Sequence, residues 1–111
     1  YIPPPPEQVV PLTTEFLNWW KHRHQGLIGK SKEIIVSGLA EYHFRFLNIH
    51  PFLDGNGRVA RILIDQAARE LLNLKIGSEL TTNAKKYFDS LNVAHKGDLS
   101  QLELLIIASL Q

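Results

Sequence analysis

Residues 59–72 read VARILIDQAARELL, and in this stretch Val59, Ala60, Ile62, Leu63, Ile64, Ala67, Ala68, Leu71 and Leu72 fall around nearly the whole circumference of a helix. A helix apolar on most sides belongs inside a bundle, so the stretch predicts a compact all-α fold with this helix as its buried centre. On its N-terminal side, Ile34, Ile35, Leu39, Tyr42, Phe46, Leu47 and Ile49 form an apolar stripe that Ser31 can cap and Pro51 must end. Earlier still, Val9, Leu12, Phe16, Trp19 and Trp20 predict a helix from Glu7 or Pro11 to about Lys21. It follows an extended Pro3–Pro6 run and precedes a loop over 22–31 containing Gly26 and Gly29. On the C-terminal side, 74–82 reads as a connector. Asn83 then caps a helix carrying Ala84, Tyr87, Phe88, Leu91 and Ala94, which Gly97 stops. Asp98 with Gln101 resembles a capping box opening a last helix through Leu110. There is no extended alternating strand pattern and no internal repeat.

The chain has 111 residues, enough for one core and too few for two, which predicts a single domain over 1–111. With 44% hydrophobic and 21% charged residues the composition is that of a soluble globular domain, and no apolar run reaches the about 18 residues of a membrane span. A formal charge of +1, with basic residues scattered, argues against nucleic-acid binding. The absence of cysteine removes disulfides, thiolate metal sites and cysteine nucleophiles, and fits a reducing, cytoplasmic compartment. Tyr at residue 1 and the lack of any Met suggest a fragment of a longer protein.

The chemistry concentrates in HPFLDGNGRVAR, residues 50–61, at the junction of a loop and the helix that follows. A helix N-terminus presents unpaired N–H groups and roughly half a positive charge, and Gly55 and Gly57 let a bound group approach the backbone. Gly55, Asn56 and Gly57 thus form a natural phosphate cradle. Arg58 and Arg61, three residues apart, share one helical face and can add forked donors to an anion held there. Asp54 is the kind of hard oxygen ligand that Mg2+ uses together with substrate phosphates. His50 suits a general base at neutral pH, able to take a proton from an attacking hydroxyl. Phe52 reads as an anchor that pins the loop to the core.

Three other motif readings fail. Asp54 to Gly57 imitates the start of a calcium loop, but Arg58 and Val59 follow where an Asp or Asn and then a Gly are required, and the twelfth position is Asp65. GLIGKS at 26–31 ends like a P-loop, yet His24 stands where the first glycine would be. Gly55, Gly57 and Ala60 satisfy a dinucleotide fingerprint by letter, without the flanking strands it needs.

His50, Phe52, Asp54, Gly55, Asn56, Gly57, Arg58 and Arg61 match the signature H-x-F-x-D/E-G-N-G-R-x-x-R, and on these residues the chain resembles the Fic domain family. The Pro-rich YIPPPPEQV at 1–9, the apolar helix leading to IHPF and NVAHKGDL at 92–99 also look like the usual Fic surroundings. The resemblance implies an all-α Fic core and a protein adenylyltransferase, which transfers AMP from ATP, with Mg2+, to a Ser, Thr or Tyr hydroxyl of a target protein and releases pyrophosphate. It implies His50 as base, Asp54 as Mg2+ ligand and Gly55, Asn56 and Gly57 as the anion hole. Arg58 would stabilise the transferred or leaving phosphates, and Arg61 would support the polyphosphate tail. Tyr87 and Phe88 would line the adenine pocket, with His95 further along. Phosphorylating members carry Ala and Lys at the positions of Gly55 and Gly57, so the glycines favour AMP transfer.

The family's β-hairpin flap lies upstream of the Pro-rich segment, so the resemblance implies a core lacking it, open to nucleotide and poor at orienting a target. The family's inhibitory S/T-x-x-x-E-G/N helix has its nearest match at Ser37 to Tyr42, which ends in Tyr. An inhibitory helix would come from other sequence or from an antitoxin-like partner, and the resemblance is compatible with a homodimer. The alternative readings are a noncatalytic nucleotide-binding or protein-interaction module, removal of AMP, and transfer of another phosphate-containing group such as phosphocholine.

Overall fold

The computed structural model describes residues 2–49 and 55–111. They form α1 (Pro6–Leu27), α2 (Lys32–Ile49), α3 (Asn56–Leu72), α4 (Glu79–Thr82), α5 (Ala84–His95) and α6 (Ser100–Ser109). The all-α bundle expected from the sequence is thus the observed architecture.

The extended Pro5, at ψ 149°, leads into α1 with Pro6 in the first helical position, where a missing N–H costs nothing. Pro11 lies inside α1 but is exposed, so the carbonyl it deprives of a partner can reach water. The helix runs six residues past the expected end at Lys21, through Gly26 to Leu27. The reason is packing. Leu27 is fully buried, and its side chain fills the space above Gly38 on α2, where an added Cβ would lie 2.5 Å from Leu27 Cδ1. Burying that leucine outweighs the roughly 1 kcal/mol helix penalty of Gly26. The turn then shrinks to 28–31, with Gly29 at φ 78°.

Ser31 caps α2, its Oγ accepting from Ile34 N at 3.3 Å. The central helix of the bundle is α2, not the 59–72 helix that sequence patterning placed there. α2 packs against α1, α3 and α6, and buries Ile35, Val36, Leu39, Ala40, Tyr42, His43, Phe46 and Ile49. α3 buries a single stripe of Asn56, Ala60, Ile64, Ala67 and Ala68 and leaves Ile62 64% exposed. The difference lies in the charges between the apolar letters: Arg58, Arg61, Arg69 and Glu70 occupy the outer face, while small Ala60, Ala67 and Ala68 let α3 lie close against α2.

The connector after α3 is more ordered than expected. Asn73, in the left-handed region at φ 56°, closes α3. Ile76 N then donates to Asp65 Oδ1 at 2.8 Å, and Ile76 forms an antiparallel bridge with Leu110, fixed by Gly77 N to Ser109 O at 2.7 Å. Asn83 caps α5 as expected, accepting from Lys86 N at 3.1 Å, and Gly97 turns the chain at φ 98°. The capping box at Asp98 does not form: α6 begins at Ser100, and Asp98 Oδ1 instead accepts from Ser100 N at 2.9 Å in a local turn. Among the described residues no helix is long and apolar enough to cross a membrane.

Two glycine substitutions should move stability in opposite directions. Gly26→Ala, with nothing within 4 Å of its added Cβ, should stabilise the fold by about 0.5–1 kcal/mol. Gly38→Ala should destabilise it by about 1–3 kcal/mol despite the same gain in helix propensity, because Leu27 is buried and has nowhere to retreat. Urea denaturation of both variants checks the pair.

Candidate active site

His50 and Asp54, the expected base and metal ligand, and Phe52, the expected anchor, lie outside the described residues. The rest of the motif forms the start of α3. Gly55 sits at φ 79°, a conformation that glycine enters without strain, and Val59 N closes the first turn onto Gly55 O at 3.0 Å. The arginines fold back over the glycines. Arg58 Nη2 lies 2.8 Å from where a Cβ on Gly55 would be, and Arg61 Nη1 lies 3.3 Å from the same point on Gly57. The two glycines make room for guanidiniums against the backbone.

Among the described residues the charges at this helix start are all positive. The first turn of α3 holds no acidic residue, and among the described residues no carboxylate pairs with Arg58 or Arg61. Helix N-termini favour anions, so two cations gathered at one leave a positive site that an external anion would relieve.

Asn56, Gly57 and Arg61 form one end of a cavity of about 450 Å3 that continues between α2 and α5. Phe44 and Leu47 of α2 line one side, and Tyr87, Phe88 and Leu91 of α5 the other. Five of the expected ligand-contacting residues, Asn56, Gly57, Arg61, Tyr87 and Phe88, thus meet around a single cavity, which Gly55 and Arg58 do not line. His95 borders it too, as do Asn48 and Asn92, two amides that the sequence did not single out.

The adjacent aromatics have different environments. Phe88 is 59% exposed, whereas Tyr87 is buried and its hydroxyl makes a 2.6 Å hydrogen bond with His43 Nε2. The two rings meet edge to face at 5.5 Å. His43 was overlooked in the sequence. Its one signal is an imidazole on the apolar stripe of α2, four residues after Leu39 and three before Phe46, at a position where a satisfied polar group needs a buried partner. Burial pushes His43 down to about 4, Arg61's charge acting in the same direction, and burial pushes Tyr87 up to about 12. His43 is therefore neutral at physiological pH. The Ser37 to Tyr42 segment is internal to α2, where Glu41 pairs with Arg45 at 2.7 Å and Tyr42 stacks on Trp20 at 3.8 Å.

The sequence profile of the Fic/DOC family matches residues 1–68, which covers the Pro-rich lead-in, α1, α2, the whole H-x-F-x-D-G-N-G-R-x-x-R signature and most of α3. The chain belongs to the Fic/DOC family. It is similar to a probable protein adenylyltransferase of Aquifex aeolicus, 36% identical over 107 residues, which cover 95% of this chain and 30% of the relative. It is also similar to the protein adenylyltransferase Fic of Drosophila melanogaster and to that of Aedes aegypti, each 30% identical over 103 residues, covering 89% of this chain and 19% of the relative. The chain spans less than a third of the length of these relatives.

A buried neutral histidine makes stability depend on pH. The unfolded chain takes up a proton near 6.5, while folded His43 does so only near about 4. Stability should be full above 6.5 and decline as pH falls toward 4, by up to roughly 3 kcal/mol from this group. Urea midpoints at pH 7.5 and 4.5 should separate more for the wild type than for His43→Gln, and equal separations would refute the assignment.

Proposed function

We propose that this chain forms the catalytic core of a Mg2+-dependent protein adenylyltransferase, transferring AMP from ATP to a Ser, Thr or Tyr hydroxyl of a target protein. One arrangement carries the reading: a cavity whose cationic, glycine-lined end is continuous with an aromatic wall, as a nucleoside polyphosphate requires. The family and the names of the relatives support it.

In this reading the phosphates lie at the start of α3, where the backbone of Gly55, Asn56 and Gly57 and the guanidiniums of Arg58 and Arg61 donate to them. The base enters between Phe44 and the Tyr87–Phe88 face. His50 takes the proton of the target hydroxyl as its oxygen bonds to the α-phosphorus. The bond from the α-phosphorus to the bridging oxygen breaks, and pyrophosphate leaves with the electron pair. Arg58 stabilises the charge that gathers on the phosphate oxygens, so the rate enhancement comes chiefly from positioning and electrostatics.

Asp54, the motif's hard oxygen donor, is the proposed protein ligand of Mg2+, and phosphate oxygens and water would supply the other ligands. When bound the ion would neutralise phosphate charge. The partner in this reading is a target protein.

ATP labelled at its α-phosphate, supplied with Mg2+, should label protein with the wild type. His50→Ala should lower that labelling about 100-fold or more while ATP binding persists. Label retained at wild-type rate in His50→Ala would refute the assigned chemistry.

A further inference from the structure

Two neighbouring residues of α2 reach across to α5 where the cavity lies between them. His43 bonds to Tyr87 at 2.6 Å, and the Phe44 ring meets the His95 ring edge to face at 4.9 Å. α5 otherwise packs chiefly on α6 and α4, so these two side-chain links tie it directly to the central helix. His43 is only 1% exposed. An apolar residue would fill that space without the desolvation that an imidazole suffers, so what histidine adds is the bond to Tyr87. The Tyr87 ring lines the cavity, while its hydroxyl is engaged with His43. The tyrosine therefore offers a bound molecule its ring, whose orientation the bond to His43 restrains.

We infer that His43 is a positioning residue for the nucleoside end of the cavity: through Tyr87 it sets the width of the slot between α2 and α5 into which a planar base fits. The inference rests on the nucleotide reading above. A fixed slot lowers the ordering cost of binding, so loosening it weakens affinity without touching the phosphate end. Arg61 of α3 bears on both His43 and Tyr87, and the Ala60 backbone faces the imidazole. With His43 held neutral and Tyr87 protonated at physiological pH, the bond joins two uncharged groups and acts as a strut rather than a proton path.

Calorimetric titration with ATP and with inorganic tripolyphosphate, each with Mg2+, separates the nucleoside end from the phosphate end. Tyr87→Phe and His43→Leu should each weaken ATP binding about five- to tenfold, and the double variant should be no weaker than either, because the two form one unit. His43→Gln, which can still bond to the hydroxyl, should recover part of the loss. Tripolyphosphate affinity should stay within about twofold throughout. ATP affinity unchanged in Tyr87→Phe, losses that multiply in the double variant, or equal losses for ATP and tripolyphosphate would each overturn the inference. Tyr87→Phe removes one hydroxyl, and it decides the matter alone if His43→Leu does not fold. A wild type that binds tripolyphosphate but not ATP would instead overturn the nucleotide reading, and the inference with it.

Discussion

α1, α3 and α6 all pack on α2, and that enclosure fixes where the chain leaves the bundle after Ile49 and rejoins it at Gly55. Ile35, Leu39, Phe46 and Ile49 anchor α2 along its whole length, so its last turn is held rigidly where residues 50–54 begin. Ala60, Ala67 and Ala68 bring α3 close to the same helix, which sets the position of the chain's re-entry at Gly55. Both ends of the signature loop are therefore pinned to one buried helix.

At the start of α3 the electrostatics and the backbone geometry point the same way. Arg58 and Arg61 stand at the positive end of the helix dipole, with no first-turn acid to offset them and the glycines beneath leaving them space. Cations at a helix start depart from ordinary helix-start chemistry, a kind of departure that natural proteins make at functional sites.

What was legible in the sequence follows from the range of the interactions involved. Ser31, Asn83 and Gly97 act on backbone within a few residues, and each does what its chemistry predicts. The helix class of each long segment was equally plain. Other features depended on distant partners. Leu27 extends α1 only because Gly38 is there to receive it, and the connector gains order only because Leu110 returns to pair with Ile76. The choice of α2 over α3 as central helix turned on charges that an apolar tally ignores. In the site, the local signature carried Gly55 to Arg61, while Tyr87, Phe88 and His95 of the far wall came only through the family resemblance, and His43 was hidden by standing among apolar letters.

Tyr87 and Phe88 show why a pair of identical-looking signals can divide its labour. Successive residues on a helix point about 100° apart, so one ring of an adjacent pair turns inward when the other turns out. Here the inward ring carries the hydroxyl, and only that ring could find a buried imidazole to hold it. Reversing the order, with Phe at 87 and Tyr at 88, would keep the composition and the helical periodicity but leave His43 without its bond to Tyr87 and the hydroxyl in water. The order of two letters thus links the packing of the core to the shape of the cavity, because the same side chain serves as a core residue on one edge and a cavity wall on the other.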